Sequence, residues 1–316
     1  MRIRHLLPAA AFVAIMISLS ATYVILTHHT HTSSSKSIQT STPHSSPKPA
    51  PHTASIAHIF IIMEENKPIS HIIGNTDAPY SNSLAKHYAL ASNYYGVAHP
   101  SLPNYLALTS GSTDGIASDC NPPSAGCIRT VRNIADEIAT SGRTWKEYAE
   151  SMPTPCYDYN AGEYVTKHNP FVYYSDIINN VARCKAHVVP FSQLRGDLSS
   201  VRTTPDFAFI TPNLCNDMHD CSIATGDHWL ARNVPMILDS KAFTTQNSLL
   251  IITWDEGDSS TNHIAAILTG SAVKQGYTSA ARYTHYSLLH TIEDQWGLPP
   301  LTANDRQAPL MNGFLQ

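Results

Sequence analysis

Two apolar runs in this chain stop abruptly at acid. "HIFIIMEEN" carries Ile59–Met63 into Glu64, Glu65 and Asn66, and "SLLIITWDEG" carries Leu249–Trp254 into Asp255 and Glu256. A run without polar alternation fits a strand covered on both faces, as in a parallel sheet flanked by helices. Burying charge at the end of such a strand is costly, so two such ends need an explanation. In open α/β sheets, ligands bind beyond the carboxyl ends of the strands. If the two strands lie close together, hard oxygen donors converge on one spot.

The rest of the chain supports that architecture. Ile56–Met63, Asp206–Thr211, Ser248–Trp254 and His263–Thr269 read as strands. Leu102–Thr109, Asn133–Ser141, most of "GDHWLARNVPMILDS" and Thr284–Trp296 read as helices, the last stopped by Gly297 and Pro299. Strands alternating with helices indicate an α/β domain with a mostly parallel sheet. No linker or repeat interrupts residues 56–316, which are read as one catalytic domain.

Two segments precede it. Arg2 and Arg4 lead an uncharged run from Leu6 to Leu26. Its length is near the roughly 20 residues of one bilayer crossing. Residues 1–27 are therefore read as a signal peptide or, since the run is long for a cleaved signal, a signal-anchor helix. Residues 28–55, rich in Ser, Thr, Pro and His, bury too little to offset their ordering entropy and read as a disordered tether. The expected location is outside the cytoplasm, either anchored through residues 6–26 or secreted after cleavage. The six cysteines all follow the tether, and in an exported chain they suggest disulfides. The simplest pairing is local: Cys120–Cys127, Cys156–Cys184 and Cys215–Cys221. With a net charge of -4 and no basic run, the chain has no footprint for nucleic acid. No protein partner is implied.

Dinucleotide, P-loop, G-x-S-x-G and H-E-x-x-H signatures are all missing. What remains is dispersed. Carboxylates and an amide at Glu65, Asn66, Asp255 and Glu256 suit Mg²⁺, Ca²⁺ or Mn²⁺, and Zn²⁺ also accepts carboxylates. Either acidic pair alone reads as a solvated loop or cap. Ser101 precedes Pro103 at the start of a helix and reads as its N-cap, an ordinary use of serine. The same place suits a nucleophile, because the helix N-terminus holds phosphate oxygens. Asn104 lies near the first turn and can donate to such an oxygen. The cysteine-flanked loop 211–229 holds Asp217, His219, Asp220, Asp227 and His228. His168, His263 and His285 are further candidates; alone, each reads as a cap or packing residue.

Six motifs, in order, carry a resemblance: "IFIIMEEN", "HPSLPNYLALTSG", "KHNPFVYY", "PNLCNDMHDC", "IITWDEGD" and "THYSLLHTIEDQWGLP". Together they resemble the phosphoesterase family that joins bacterial acid phosphatases and phospholipases C, in the alkaline phosphatase superfamily. The resemblance spans about residues 56–302. It implies an alkaline phosphatase-like three-layer α/β/α sandwich and a divalent metal ion. By motif, Glu65, Asn66, Ser101, Asp255 and Glu256 would hold the metal, with Ser101 also the nucleophile. His168 and His219 would face the phosphate, and Asp217, His263 and His285 would lie near. Glu256 departs from the paired aspartates of the acid phosphatases; phospholipase-like members share Asp-Glu. The sequence ends soon after Leu301, without the extension domains of the larger phospholipases. A small phosphate monoester is therefore the expected substrate, with a phospholipid head group and phospholipase C-type diester cleavage as the alternative. A sulfatase would need the pattern C/S-x-P-x-R, and Tyr105 stands where its Arg belongs. A non-catalytic binding domain on the same fold is the remaining reading.

Overall fold

The computed structural model describes residues 55–316. The expected signal or anchor segment (1–27) and all but the last residue of the expected tether (28–55) lie outside the described residues. Among the described residues no helix is long and apolar enough to cross a membrane.

The described residues open with β1 (His58–Glu64), α1 (Ile69–Ile72), α2 (Pro79–His87), β2 (Ala89–Tyr95) and α3 (Ser101–Ser110). They continue through α4 (Ile134–Thr140), β3 (Trp145–Ala149), α5 (Ser175–Ile178), α6 (Val181–His187), β4 (Val188–Pro190), α7 (Leu194–Asp197) and β5 (Phe207–Thr211). They close with α8 (Ile223–Leu238), α9 (Lys241–Thr245), β6 (Ser248–Trp254), β7 (His263–Thr269), β8 (Tyr277–Ser279), β9 (Tyr283–Thr284), α10 (His285–Trp296) and α11 (Ala303–Gln307). The strands form one sheet in the order β4-β3-β5-β1-β6-β7-β2-β8, with β9 also pairing with β2. All pairings are parallel except those of β7 with β6 and β2.

Alternate residues of a strand point to opposite faces. Every residue of β1 and β6 is buried, so both faces of the sheet centre are covered by helices. This explains the lack of polar alternation that marked both runs in the sequence. The fold is the expected α/β architecture. β1 lies directly between β5 and β6, and Glu64 pairs with Trp254 in register. The residues that follow, Glu65 and Asp255, therefore emerge side by side. The backbone continues the ladder one step further, with Asp255 N–H donating to Glu64 O at 2.9 Å. On the other side Glu65 N–H donates to Asp217 O at 2.8 Å, drawing in the segment after β5.

The expected helices are present with small shifts. Asn133 caps α4 through Ala135 N–H, and Asp136 closes the capping box. Pro100, not Ser101, occupies the N-cap of α3, and Ser101 is its first helical residue. The reading of Ser101 as an N-cap is corrected accordingly, and its hydroxyl is free for other work. The three disulfides are the local pairs Cys120–Cys127, Cys156–Cys184 and Cys215–Cys221.

Candidate active site

Ser101 is buried at the start of α3, and its hydroxyl donates to Glu65 Oε2 at 3.1 Å. One helical turn on, Tyr105 donates to Glu65 Oε1 at 2.5 Å. The i, i+4 spacing puts both hydroxyls on one face of the helix. The Tyr105 ring stacks on His168, with centroids 5.6 Å apart and planes 6° from parallel. His168 bridges two carboxylates: Nε2 lies 3.2 Å from Glu65 Oε1 and Nδ1 lies 3.1 Å from Asp217 Oδ2. Both ring nitrogens lie at ion-pair distance from a carboxylate oxygen, although Nε2 and Asp217 Oδ2 make no hydrogen bond. Burial alone would lower the ring's pKa, but Glu65 and Asp217 outweigh that and hold it at about 10. Burial would raise Glu65, yet His168, Tyr105 and Lys167 bring it down to about 2.

Asp255 stands on the far side of Glu65. Its Oδ1 accepts from Asn66 N–H at 3.0 Å, and its Oδ2 is buried without a partner. Asn66 reaches this position with φ at 54°, the left-handed region that Asn tolerates better than most residues. Burial, followed by repulsion from Glu65 and Glu256, pushes Asp255 well above the carboxylate range. Burial and Glu65 also raise Glu256 to about 7, against an opposing pull from His99, whose Nδ1 lies 2.8 Å from Glu256 Oε2. Glu256, Asn66 and His99 line a cleft of about 430 Å³ that opens to solvent. An orphaned carboxylate oxygen among mutually repelling acids, beside an amide and a hydroxyl, fits a hard divalent cation. Such an ion would neutralise the repulsion that otherwise keeps these acids protonated.

The other candidates fall into two groups. His219 lies near the cluster, and one ligand atom each of Glu65, His168 and His219 lie within 4.8 Å of one another. Its Nε2 is 3.1 Å from Lys167 Nζ, which can only donate, and its Nδ1 donates to Asp220 Oδ1 at 2.6 Å. Asp217 Oδ1 accepts from His219 N–H at 2.7 Å, fixing that loop. Asn104 lies beneath the turn before Ser101. Its Oδ1 accepts from Val97 and Ala98 N–H at 2.8 and 3.0 Å, and its Nδ2 reaches Glu256 Oε2 at 3.4 Å.

The second group acts through the scaffold. His285 is buried and neutral, its pKa lowered to about 4 by burial against an opposing bond to Asp255. Nε2 donates to Asp255 O at 2.6 Å and Nδ1 accepts from Tyr94 at 3.1 Å, so the ring positions the Asp255 backbone. His263 stacks on Tyr95 and donates to Ser92 O at 2.9 Å, facing β2 and not the carboxylates. Asp227 caps α2 through Tyr80 and Ser81 N–H, each at 2.8 Å.

A family model described as "Phosphoesterase family" matches residues 75–299, most of the chain. The chain belongs to the phosphoesterase family. It is thereby a hydrolase acting on phosphoric ester bonds. It is 38% identical over 248 residues to a phosphatidylinositol-3-phosphatase of Mycobacterium tuberculosis, covering 77% of this chain and 78% of that one. It is 35% identical over 243 residues to a phosphate-repressible acid phosphatase of Penicillium chrysogenum, covering 73% of this chain but only 57% of the relative. Among solved structures, a protein in the alkaline phosphatase superfamily from Vibrio parahaemolyticus shares the fold with a TM-score of 0.59 and 11% identity, over 83% of this chain and 72% of that one.

Within this phosphoesterase, four residues join the site that sequence reading did not single out: Tyr105, His99, Lys167 and Asp119, the last with Oδ2 3.3 Å from Lys167 Nζ. Tyr105 carries a usable signal, since it stands four residues after Ser101. Lys167 precedes His168, and His99 lies two residues before Ser101. Asp119 lies in a loop beside Cys120 and has no periodic or motif signal.

Proposed function

We propose that this protein is an exported, metal-dependent phosphomonoesterase acting through a phosphoserine intermediate. The observation that supports this most is the Ser101 hydroxyl at the start of α3, bonded to Glu65 beside the partnerless Oδ2 of Asp255. Glu65, Asn66, Ser101, Asp255 and Glu256 would hold one divalent ion; the oxygen-rich set suits Mg²⁺, Ca²⁺ or Mn²⁺, and Zn²⁺ is compatible. Such an ion would ease deprotonation of Ser101 and offset charge on the phosphoryl oxygens.

The chain's own groups supply the rest. Ser101 Oγ attacks phosphorus in line as the P–O bond to the alcohol breaks. The alcohol leaves with a proton, and water then cleaves the seryl phosphate to release phosphate. His168 and His219 border the space where the phosphoryl oxygens would lie, and the protonated His168 offers positive charge there. Asn104 holds the turn that aims Ser101. Phosphoryl transfer needs mainly positioning and charge stabilisation, which a rigid sheet edge provides.

Export is supported by the three disulfides and by the N-terminal pattern. The relative named as a phosphatidylinositol-3-phosphatase makes a phosphorylated lipid head group one candidate monoester. The Asp255-Glu256 pair favours phospholipase C-type diester cleavage as the second reading. A panel of aryl phosphate, bis-aryl phosphate, phosphatidylinositol 3-phosphate and phosphatidylcholine, run after chelation with each ion restored, tests both. The monoesters should be cleaved, chelator-sensitively, and Ser101→Ala should lower turnover by about a thousandfold or more. Full activity in Ser101→Ala would refute the nucleophile, and preferential diester cleavage would favour the second reading.

A further inference from the structure

Beside Ser101, a carboxylate of this chain sits where an anion would bind. Asp119 Oδ1 accepts from Leu102 N–H at 3.3 Å, and Asp119 Oδ2 lies 3.3 Å from Lys167 Nζ. Lys167 is only 9% exposed, and its ammonium also reaches His219 Nε2. A buried ammonium demands an anion. The helix N–H group, one residue from Ser101, points at the same anion.

Resting on the phosphoesterase reading, we propose that Lys167 and Leu102 N–H form a cradle for two phosphoryl oxygens of the substrate, which Asp119 fills in the free enzyme. Asp119 is then a built-in competitor of phosphate esters. Two observations favour this over a plain helix cap. The two carboxylate oxygens are divided between two separate donors, the spacing a phosphoryl group also offers. The Asp119 side chain is 28% exposed while that of Lys167 is 11% exposed, so of the two the carboxylate lies nearer solvent. The main chain there stays fixed: Tyr173 OH donates to Cys120 O at 3.0 Å, and Cys120 is bonded to Cys127. Only the side chain need move. Lys167 then pairs with the incoming phosphate, and no buried cation is left unpaired.

A ligand that must first displace an occupant binds more weakly by the fraction of protein left open. If about a tenth of the protein is open, removing the occupant tightens binding about tenfold. Calorimetric titration of inorganic phosphate into the wild type, Asp119→Asn, Asp119→Ala, Lys167→Met and the Asp119→Asn/Lys167→Met double variant tests this. Both Asp119 variants should bind phosphate about tenfold more tightly, Lys167→Met should bind more weakly, and the gain from Asp119→Asn should shrink in the Lys167→Met background. Unchanged or weaker binding in both Asp119 variants, with the wild type still binding phosphate and hydrolysing aryl phosphate, overturns this proposal and leaves the phosphoesterase reading standing. A wild type that neither binds phosphate nor cleaves any ester overturns both.

Discussion

Glu65 and His168 meet at 3.2 Å with both side chains buried, and Asp217 holds the ring from its other nitrogen at 3.1 Å. The imidazolium is the counter-charge for two buried acids. Removing it by His168→Ala leaves them facing each other, which costs about 3–5 kcal/mol. A divalent ion at Glu65 would supply part of the missing charge. The thermal stability of His168→Ala should therefore fall sharply in chelator and recover in part with Mn²⁺ or Mg²⁺. An equal loss in both conditions would separate His168 from the metal site.

Glu256 is raised to about 7 and Asp255 well above the carboxylate range, each first by burial and then by neighbouring acids. A cation binds their ionised forms, so protons compete with it at low pH. Cation affinity should rise from pH 6 to pH 8, by up to about tenfold per unit for each proton displaced. Proton release on binding, read by calorimetry in buffers of different ionisation enthalpy, checks this. Binding that is flat with pH and releases no protons would place the ion elsewhere.

His285 is neutral, with a folded pKa of about 4 against an ordinary 6.5. The unfolded chain takes up the proton first as pH falls, so this stability is present above pH 6.5 and is lost progressively toward pH 4. His285→Ala should remove that slope. It also leaves Asp255 O and the Tyr94 hydroxyl without their bonds, at a cost of about 1–3 kcal/mol. Because Asp255 is then poorly placed, kcat/KM should drop as well; unchanged kcat/KM would mean the bond only stabilises the fold.

The parts of this fold that were legible in sequence are those where burial is two-sided. β1 and β6 are apolar at nearly every position because helices cover both faces, and the acids at their ends stand out. β2 was missed because "ALASNYY" is interrupted by a register shift between Ala91 and Tyr94 and is only half covered. β3, "WKEYA", hides Glu147 in the interior, where Thr211 donates to it at 3.0 Å, and no apolar run announces it. The site shows the same division. Ser101 and the strand-end residues carry local motifs. The facing of Glu65 on His168, or of Asp119 on Lys167, depends on loops brought together by the sheet order, which local sequence does not encode.

Gly96 follows β2 and lies against the backbone of Asp255. A Cβ there would come within 2.7 Å of Asp255 O and of Asn262 Nδ2, closer than real side chains approach. Asp255 O is already fixed by His285 at 2.6 Å and cannot retreat without moving the carboxylate. Gly96→Ala should cost about 1–3 kcal/mol by overpacking. It should also weaken cation binding more than a comparable substitution at Gly126, where a Cβ meets nothing within 4 Å. Equal cation affinity in the two variants would show that the Asp255 backbone absorbs the shift.

Glu293 on α10 is buried away from the carboxylates that end β1 and β6. Its Oε1 accepts from Leu301 N–H at 3.1 Å, while its Oε2 and Asp305 Oδ2 have no partner. Burial, then Asp305, raises its pKa from 4.5 to about 9. The folded protein therefore keeps a proton that the unfolded chain loses above pH 4.5, so stability falls as pH rises through this window and levels off near pH 9. Asp305 accepts from Thr302 N–H at 2.8 Å, and the neighbouring Asn304 donates to Gly111 O at 2.9 Å, at the C-terminal end of α3. Ionising Glu293 should thus loosen the support of the helix that carries Ser101. Glu293→Gln keeps a neutral side chain of the same shape at every pH. Urea unfolding from pH 5 to pH 9 should show the wild type losing stability relative to Glu293→Gln as pH rises. Parallel curves for the two proteins would mean that Glu293 is already ionised in the folded state.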